Sequence, residues 1–527
     1  MAVFGKNILE NLTTGMYSDR RVMYREYIQN SCDAIDAAVK SGVIKFEKAR
    51  IDISINETER CIEIYDNGRG IPSIDFERVL TDIANSDKIR SEEKGFRGIG
   101  RLCGLAYCNQ LQFITSVKGE TITSIMTWDA KKLRTMLNDN KKRQANEVLS
   151  EIINISTIEE NIDTHYFKVI LKDICKESES LLDVEKINDY LSFVSPVPYD
   201  SHFMFYKQIL DHTKKIGVKI DEYPIYIENE QLFKKYRSRI YANGKVHDEI
   251  RDIKFKEFYD ENDNLLAWMW FGLSSLNGQI KSENIQRGLR LRKGNIQIGT
   301  SRTLREHSLF QDARGNEYYI GEIHAIHQDL IPNARRDYFN ENTVRSIFEA
   351  SLREFFKILW KLCNVASDDR SAYKDIKKYH SFTESYNEKK KSGFAGDLER
   401  KTLDIDLENK RQLAESAQQK LSRPITVEAS DKETTLLVQA VKKIVKTVED
   451  KDNTALNKKL PKSPLVDDDN SDKQKSKTKY LTEDLSKYSK ETRKVVSRIY
   501  DIINQHIPDK AEEIISIIQT TLKSKMD

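Results

Sequence analysis

Tyr24 to Val39 reads YREYIQNSCDAIDAAV, and the spacing of its polar residues decides how the rest of the chain is understood. Glu26, Asn30 and Asp33 fall at positions i, i+4 and i+7, so in a helix they share one face. Ile28, Ile35, Ala38 and Val39 take the opposite face. This predicts a helix laid apolar side down on a core, with two carboxylates and an amide turned toward something else. Alone, the pattern also describes an ordinary solvated helix face.

The signals that follow narrow the reading. Cys61 to Ile64 alternates like a short strand and runs into Asp66-Asn67-Gly68-Arg69-Gly70-Ile71-Pro72. A carboxylate closing a strand before two glycines can accept a hydrogen bond while the backbone approaches a flat ligand, although a plain turn has the same composition. Further on, Lys94-Gly95-Phe96-Arg97-Gly98-Ile99-Gly100 precedes a helix-like run from Arg101 to Tyr107. Phosphates could meet backbone N–H groups at such a helix start. The glycines lack the GK[ST] ending of a P-loop and the short strand-to-glycine spacing of a dinucleotide fingerprint, so neither common nucleotide fold fits.

Taken in order, ExxxNxxDA, DxGxGI and GxxGxG resemble the three conserved boxes of the GHKL ATPases, which include gyrase, MutL, MORC proteins, histidine kinases and the ninety-kilodalton heat-shock chaperones. The spacing from Glu26 to Ala34, and Ile83-Ala84-Asn85-Ser86 before a lid, look most like the chaperones. Asp66-Asn67-Gly68, Gly95-Phe96-Arg97-Gly98 and Ser86-Asp87-Lys88-Ile89 are similar to MutL's versions. The resemblance implies an α+β fold: an N-terminal two-layer α/β sandwich of the Bergerat type, an α/β middle domain and a helical C-terminal region.

The same resemblance implies roles. Glu26 would be the general base for the attacking water, and Asn30 would hold a Mg²⁺ that bridges the phosphates of ATP. Asp66 would accept from the adenine amino group; Gly68 and Gly70 would admit the base; Gly95, Gly98 and Gly100 would cradle the phosphates. Asp33, Ile71 and Ile99 belong to the same boxes. Thr164, in Asp163-Thr164-His165, would support Asp66 through water, but the family usually has glycine where this chain has Asp163. The chaperones' lysine before the lid serine is Asn85 here, which leaves Lys88 or Arg97 to meet phosphate charge.

With 527 residues, 39% hydrophobic and 32% charged, the chain is long enough for several cores. A formal net charge of +3 gives no general electrostatic reason to bind nucleic acid, so such binding would need a local patch. No apolar run approaches a membrane span, and MAVFGKNILENL lacks the pattern of a signal peptide; a cytoplasmic protein is expected. Six cysteines sit singly in apolar patterns and read as reduced core residues. His324 and His327 lie in an alternating stretch that says strand, with no further ligands spaced for zinc.

The chain in order predicts an ATP-binding domain over 1–175 with strands near 50–56, 61–65, 111–116, 121–128 and 166–171. A middle domain over 176–369 opens on a helix at Leu182–Val194. Gln286 to Gly294 alternates Leu289 and Leu291 with Arg290 and Arg292, a strand with one basic face that is either solvated or a phosphate or nucleic-acid patch. Asn333 to Asn340 resembles the chaperones' catalytic loop, whose arginine reaches the γ-phosphate. Arg336 is the candidate, Arg335 its close alternative, and capping of the helix at Thr343 is the bland reading. Beyond lie a charged helical region over 370–449, a disordered linker over 450–479 and a hairpin over 480–527. Its stripes Leu485, Val496, Ile499, Ile503 and Ile514, Ile515, Ile518, Leu522 would want a partner. The expectation is an ATP-hydrolysing, Mg²⁺-dependent chaperone-like protein acting on protein clients, a homodimer, with no membrane. The rivals are a MutL- or MORC-like DNA-acting ATPase and a slow nucleotide switch that docks partners.

Overall fold

The computed structural model describes residues 5–13, 19–82, 100–423, 432–451, 460–461, 464 and 479–525. They form two compact units, one running to Leu273 and resuming over Gly278–Trp360, the other holding Ser274–Asn277 and the chain from Lys361 onward.

The first unit is built on an eight-stranded sheet of β1 (Ile51–Asn56), β2 (Cys61–Asp66), β3 (Cys108–Ser116), β4 (Ile122–Asp129), β5 (Ile153–Glu159), β6 (Tyr166–Ile174), β7 (Ile225–Ile227) and β8 (Glu230–Gln231), in the order β5-β4-β3-β6-β2-β1-β7-β8. Every neighbouring pair is antiparallel except β1 with β7. Ile51, Ile53 and Ile55 of β1 point inward while Asp52, Ser54 and Asn56 alternate outward, the period-two pattern of a half-buried strand. Helices α1 (Asn7–Thr13), α2 (Val22–Lys40), α3 (Ser73–Thr81), α4 (Ala130–Asn138) and α5 (Ala145–Ile152) share one hydrophobic core with these strands. This is the expected α+β arrangement, helices on a large, mainly antiparallel sheet. Two features differ from the sequence reading. Strand β5 was not anticipated; it lies at the sheet's rim, nearly all exposed, with Ile155 and Ile158 facing solvent. The sheet also continues past residue 175, because β7 pairs with β1 and buries Ile225 and Ile227 in the same core.

Two further helices, α6 (Val184–Val194) and α7 (Tyr206–Lys215), follow, and Asp183 caps α6 by accepting from Lys186 N. A hairpin of β9 (Arg239–Ala242) and β10 (Lys245–Glu249) turns at Asn243-Gly244, both at positive φ. The second sheet orders β11 (Asp252–Tyr259), β12 (Leu265–Leu273), β15 (Ile320–Ala325), β13 (Gly288–Lys293) and β14 (Ile296–Gln297) in that sequence, β13 and β15 parallel. Its centre, β12, is buried on both faces from Leu266 to Leu273. The short helix α8 (Thr303–Glu306) and the start of α9 (Thr343–Ser392) complete the unit.

The basic face read on β13 needs correction: it is neither solvated nor a nucleic-acid patch, since Arg290 is 7% exposed and Arg292 0%. Arg292 pairs with Glu322 at 2.7 Å, and Lys234 meets the same carboxylate at 2.8 Å, all three side chains fully buried. Leu–Arg alternation cannot distinguish water from a buried counter-ion.

The second unit is helical: the end of α9, α10 (Asp397–Ser422), α11 (Lys432–Lys451), α12 (Lys490–His506) and α13 (Ala511–Ser524). Most of the 450–479 stretch read as a linker lies outside the described residues. The hairpin stripes expected to want a partner meet each other instead: Leu485, Val496, Tyr500 and Ile515 form one cluster with Ile503, Ile518 and Leu522 against it. Val495, Ile499, Ile502 and Ile517 stay exposed. Among the described residues no helix is long and apolar enough to cross a membrane, and none of the six cysteines is in a disulfide.

Candidate functional site

Helix α2 places the expected polar face, but not beside solvent: Glu26 is 7% exposed, Asp33 8%, and Asn30 half-buried. A buried carboxylate needs partners. Glu26 has two guanidiniums on one oxygen, Arg25 Nη2 at 3.2 Å and Arg336 Nε at 3.6 Å. Arg25 also donates to the carbonyl of Arg335 at 3.3 Å, tying α2 to the loop that carries Arg336.

That loop closes on itself. Pro332 and Phe339 form a bridge, Asn333 N donates to Tyr338 O, and Arg336 N to Asn333 O at 3.1 Å. Arg336 takes φ +54°, a left-handed conformation that non-glycine residues adopt only when their surroundings hold it. Gly299 N supplies one restraint, donating to Arg336 O at 2.7 Å. Neither arginine of the pair caps α9; Asn342 does, accepting from Arg345 N at 2.8 Å. Arg335 is exposed while Arg336 is 8% exposed and turned to Glu26.

At the other end of α2 the strand β2 delivers Asp66, 1% exposed, whose Oδ1 accepts from Gly68 N at 3.0 Å. Gly68 packs on Ala34 so closely that an added Cβ would lie 2.7 Å from both Ala34 and Asp66 Oδ1. Gly70 takes φ +71° against the carbonyl of Ser116. Ile71 N donates to Thr115 Oγ1 at 3.0 Å, and His165 Nδ1 donates to Gly68 O at 2.9 Å. The hydroxyl of Thr164 goes to Glu160 at 3.4 Å, so the side chains that brace this loop are Thr115 and His165, which the sequence reading did not single out.

Gly100 opens a 3₁₀ turn, Gly100–Ala106, and a Cβ there would come 2.6 Å from Glu26 Oε2. Tyr27 clamps the turn to α2, donating to Arg101 O at 3.0 Å and accepting from Gly104 N at 3.1 Å. Burial pushes the Arg101 guanidinium down to about 10, and burial next to Glu26 pushes the Cys103 thiol up. Asn85, Lys88, Gly95, Arg97, Gly98 and Ile99 lie outside the described residues. The structure thus brings together Glu26, Asn30, Asp33, Asp66, Gly68, Gly70, Ile71, Gly100 and Arg336 around α2 and the ends of β2 and β3.

The model for histidine kinase-, DNA gyrase B- and HSP90-like ATPases matches residues 19–163. This part of the chain is a GHKL ATPase domain. The chain is also similar to curated chaperone proteins named HtpG. It is 24% identical over 274 residues to that of Halalkalibacterium halodurans, 23% over 274 residues to that of Clostridium botulinum, and 23% over 288 residues to that of Wigglesworthia glossinidia brevipalpis. These matches take in 49 to 50% of this chain and 40% of each relative, so the chain spans about two fifths of the length of the curated relatives it matches.

The residues present fit the ligands such a domain implies. Gly68 and Gly70 are positions where any side chain would collide with Ala34, Asp66 or Ser116, which keeps side chains off the backbone beside the Asp66 carboxylate. Glu26 and Asn30 offer only hard oxygen donors, the set that Mg²⁺ prefers when phosphates and water fill its remaining positions. Among the described residues no cluster of three His, Cys, Asp or Glu forms another metal site.

Proposed function

We propose that the GHKL domain binds ATP with its adenine on Asp66 and hydrolyses it with Glu26 as base and Arg336 as the phosphate-reaching cation, coupling turnover to conformational work on protein clients. The observation that carries the reading is the pair Arg336 and Glu26, 3.6 Å apart though about three hundred residues separate them in sequence. An arginine of the middle region meets the base of the ATPase domain.

In this scheme Asp66 accepts from the adenine amino group, and Thr115 and His165 hold the glycine loop that faces the base. Glu26 takes the proton of the attacking water. Its Oε1 is shared by Arg25 and Arg336, so the γ-phosphate and Glu26 compete for the Arg336 guanidinium, and transfer of that cation to phosphate leaves Glu26 freer to act as a base. Mg²⁺, held by the Asn30 amide oxygen, would supply charge neutralisation between the phosphates. Closure of the segment around Asn85 to Gly100 over the nucleotide would exclude water and report occupancy to the middle region.

Support for protein clients comes from the similarity to proteins named as chaperones. A homodimer joined through Ile499, Ile502 and Ile517 is part of the proposal, with light scattering of the full chain as its measure. A DNA-acting ATPase is less well supported, because the arginines that would have contacted DNA are buried. The deciding experiment compares ATP binding and phosphate release for the full chain, Glu26→Ala and Arg336→Ala. Binding kept with hydrolysis lost in both supports the scheme; unchanged turnover in either removes that residue from it. Proteins recovered with a Glu26→Ala form stalled on ATP would name the clients, whereas recovered DNA would favour the rival.

A further inference from the structure

A cavity of about 720 Å³ in the first unit opens beside the N-terminal end of α2, with Arg25 and Arg336 in its lining. Its lining is strongly unbalanced: eight Arg and Lys against three Asp. Five of the eight cations have a carboxylate in reach: Arg21 has Asp19 at 2.8 Å, Arg25 and Arg336 share Glu26, Lys186 has Asp183 at 2.7 Å and Arg287 has Glu317 at 3.8 Å. Arg290, Arg302 and Arg335 remain, while Asp189 is taken by Lys235 at 2.6 Å and Asp337 accepts from Asn333.

The inner wall of this cavity carries Arg290. Only 7% exposed, its guanidinium lies 4.3 Å from the Phe193 ring and donates to Gln297 Oε1 at 2.8 Å and to the carbonyl of Ile285, both neutral acceptors. Its Nε has no partner, and among the described residues no carboxylate lies within ion-pair distance, Glu322 acting on it only from farther off. Burial pushes it down to about 10, so it remains charged near neutrality. The contrast with Arg292, two residues on along the same strand face, is direct: Arg292 has the Glu322 carboxylate at 2.7 Å. A buried cation with no carboxylate in contact is disfavoured unless an anion joins it. Two more arginines at the mouth, Arg302 and Arg335, make no ion pair among the described residues and are exposed.

We propose that this cavity is a second anion site that binds a compact polyphosphate, either free or as the phosphate chain of a nucleotide, with Arg290 as its inner anchor and Arg302 and Arg335 at its mouth. The forked donors of arginine match phosphate oxygens two at a time, and three guanidiniums without a carboxylate partner suit a ligand of three or four negative charges. The volume falls within the range of small-ligand sites. The site stands on the cavity alone and does not depend on the reading of Asp66 or Glu26.

The test uses the full chain carrying Asp66→Asn, to disable adenine recognition in the ATPase pocket, and titrates it calorimetrically with inorganic triphosphate and, separately, with ATP. One equivalent of triphosphate is expected to bind, more weakly as salt rises, and at least tenfold more weakly in Arg290→Gln. Arg302→Gln with Arg335→Gln, both exposed and unable to disturb the core, is expected to weaken it similarly. Tighter binding of triphosphate than of ATP assigns the free polyphosphate; the reverse assigns a nucleotide. No binding of either, or binding indifferent to both sets of substitutions, overturns the site. ATP hydrolysis surviving Asp66→Asn would instead sink the proposed function and leave the Arg290 comparison to decide this one.

Discussion

At the scale of single residues, the ATPase reading rests on three side chains whose loss should give different signatures. Glu26→Ala is expected to keep ATP affinity and lose roughly 10²- to 10⁴-fold in turnover, since a positioned base acts mainly in the transition state. Asp66→Asn presents a donor where the adenine amino group needs an acceptor, and is expected to abolish ATP binding at the ATPase pocket, read as loss of ATP turnover. Arg336→Ala is expected to slow phosphate release by at least about tenfold with affinity nearly intact, and Arg335→Ala to do less because its side chain is exposed and makes no ion pair with Glu26. Equal effects of the two arginine substitutions would show that the loop's backbone, and not one guanidinium, matters. Glu26, Asn30 and Asp66 were legible because their spacing is set within one helix and one strand end. Arg25 was not, because neighbours on a helix point about 100° apart and its contact with the Arg335 carbonyl forms only on folding. His165 was passed over for Thr164 because a sequence does not say which of two adjacent side chains reaches the loop.

Among elements, those with one buried face were readable and those without were not. Strands β1, β2 and β6 carry alternating apolar residues and fell within a few residues of their expected bounds. Strand β5 is exposed along almost its whole length, so it has no hydrophobic period to detect. Strand β7 is three residues long and completes a sheet begun some 170 residues earlier, a pairing that local pattern cannot encode. It matters for where the chain can be cut. A fragment ending at residue 175 lacks Ile225 and Ile227, which cover the β1 side of the core, whereas residues 1–360 retain nearly the whole first unit. The longer fragment is expected to melt cooperatively by circular dichroism and the shorter one to melt broadly and bind a hydrophobic dye. Identical melts would show that β7 contributes nothing. At Gly70, φ +71° and the neighbouring Ser116 carbonyl exclude a side chain, so Gly70→Val is expected to destabilise the domain and weaken ATP binding together.

For the whole molecule, the polar core of the second sheet links stability to pH. His324 is 4% exposed, stacked on Trp268 with ring centroids 4.4 Å apart, and its Nε2 lies 3.1 Å from Glu322. Burial pushes it down to about 4. Between pH 6.5 and about 4 the unfolded chain takes up a proton that the folded chain refuses. Stability is therefore full above pH 6.5 and falls as pH drops through that window, by up to about 3 kcal/mol from this group. Glu322 is also buried, yet Arg292 and Lys234 hold it well below the usual carboxylate range, so its contribution is lost only at lower pH. Urea melts at pH 7 and pH 5 should differ less for His324→Asn than for the unaltered chain; an unchanged difference would place the acid sensitivity elsewhere. The rim strand β5 carries a different liability. Its outer backbone groups have no neighbouring strand among the described residues, and Ile155 and Ile158 stand beside them in solvent. Such a rim is a template on which another chain can stack during recovery from denaturant. Aggregation, and not loss of the native contacts, would then cap the yield of refolded material at high concentration, and one lysine at position 158 should lift that cap without altering ATP turnover.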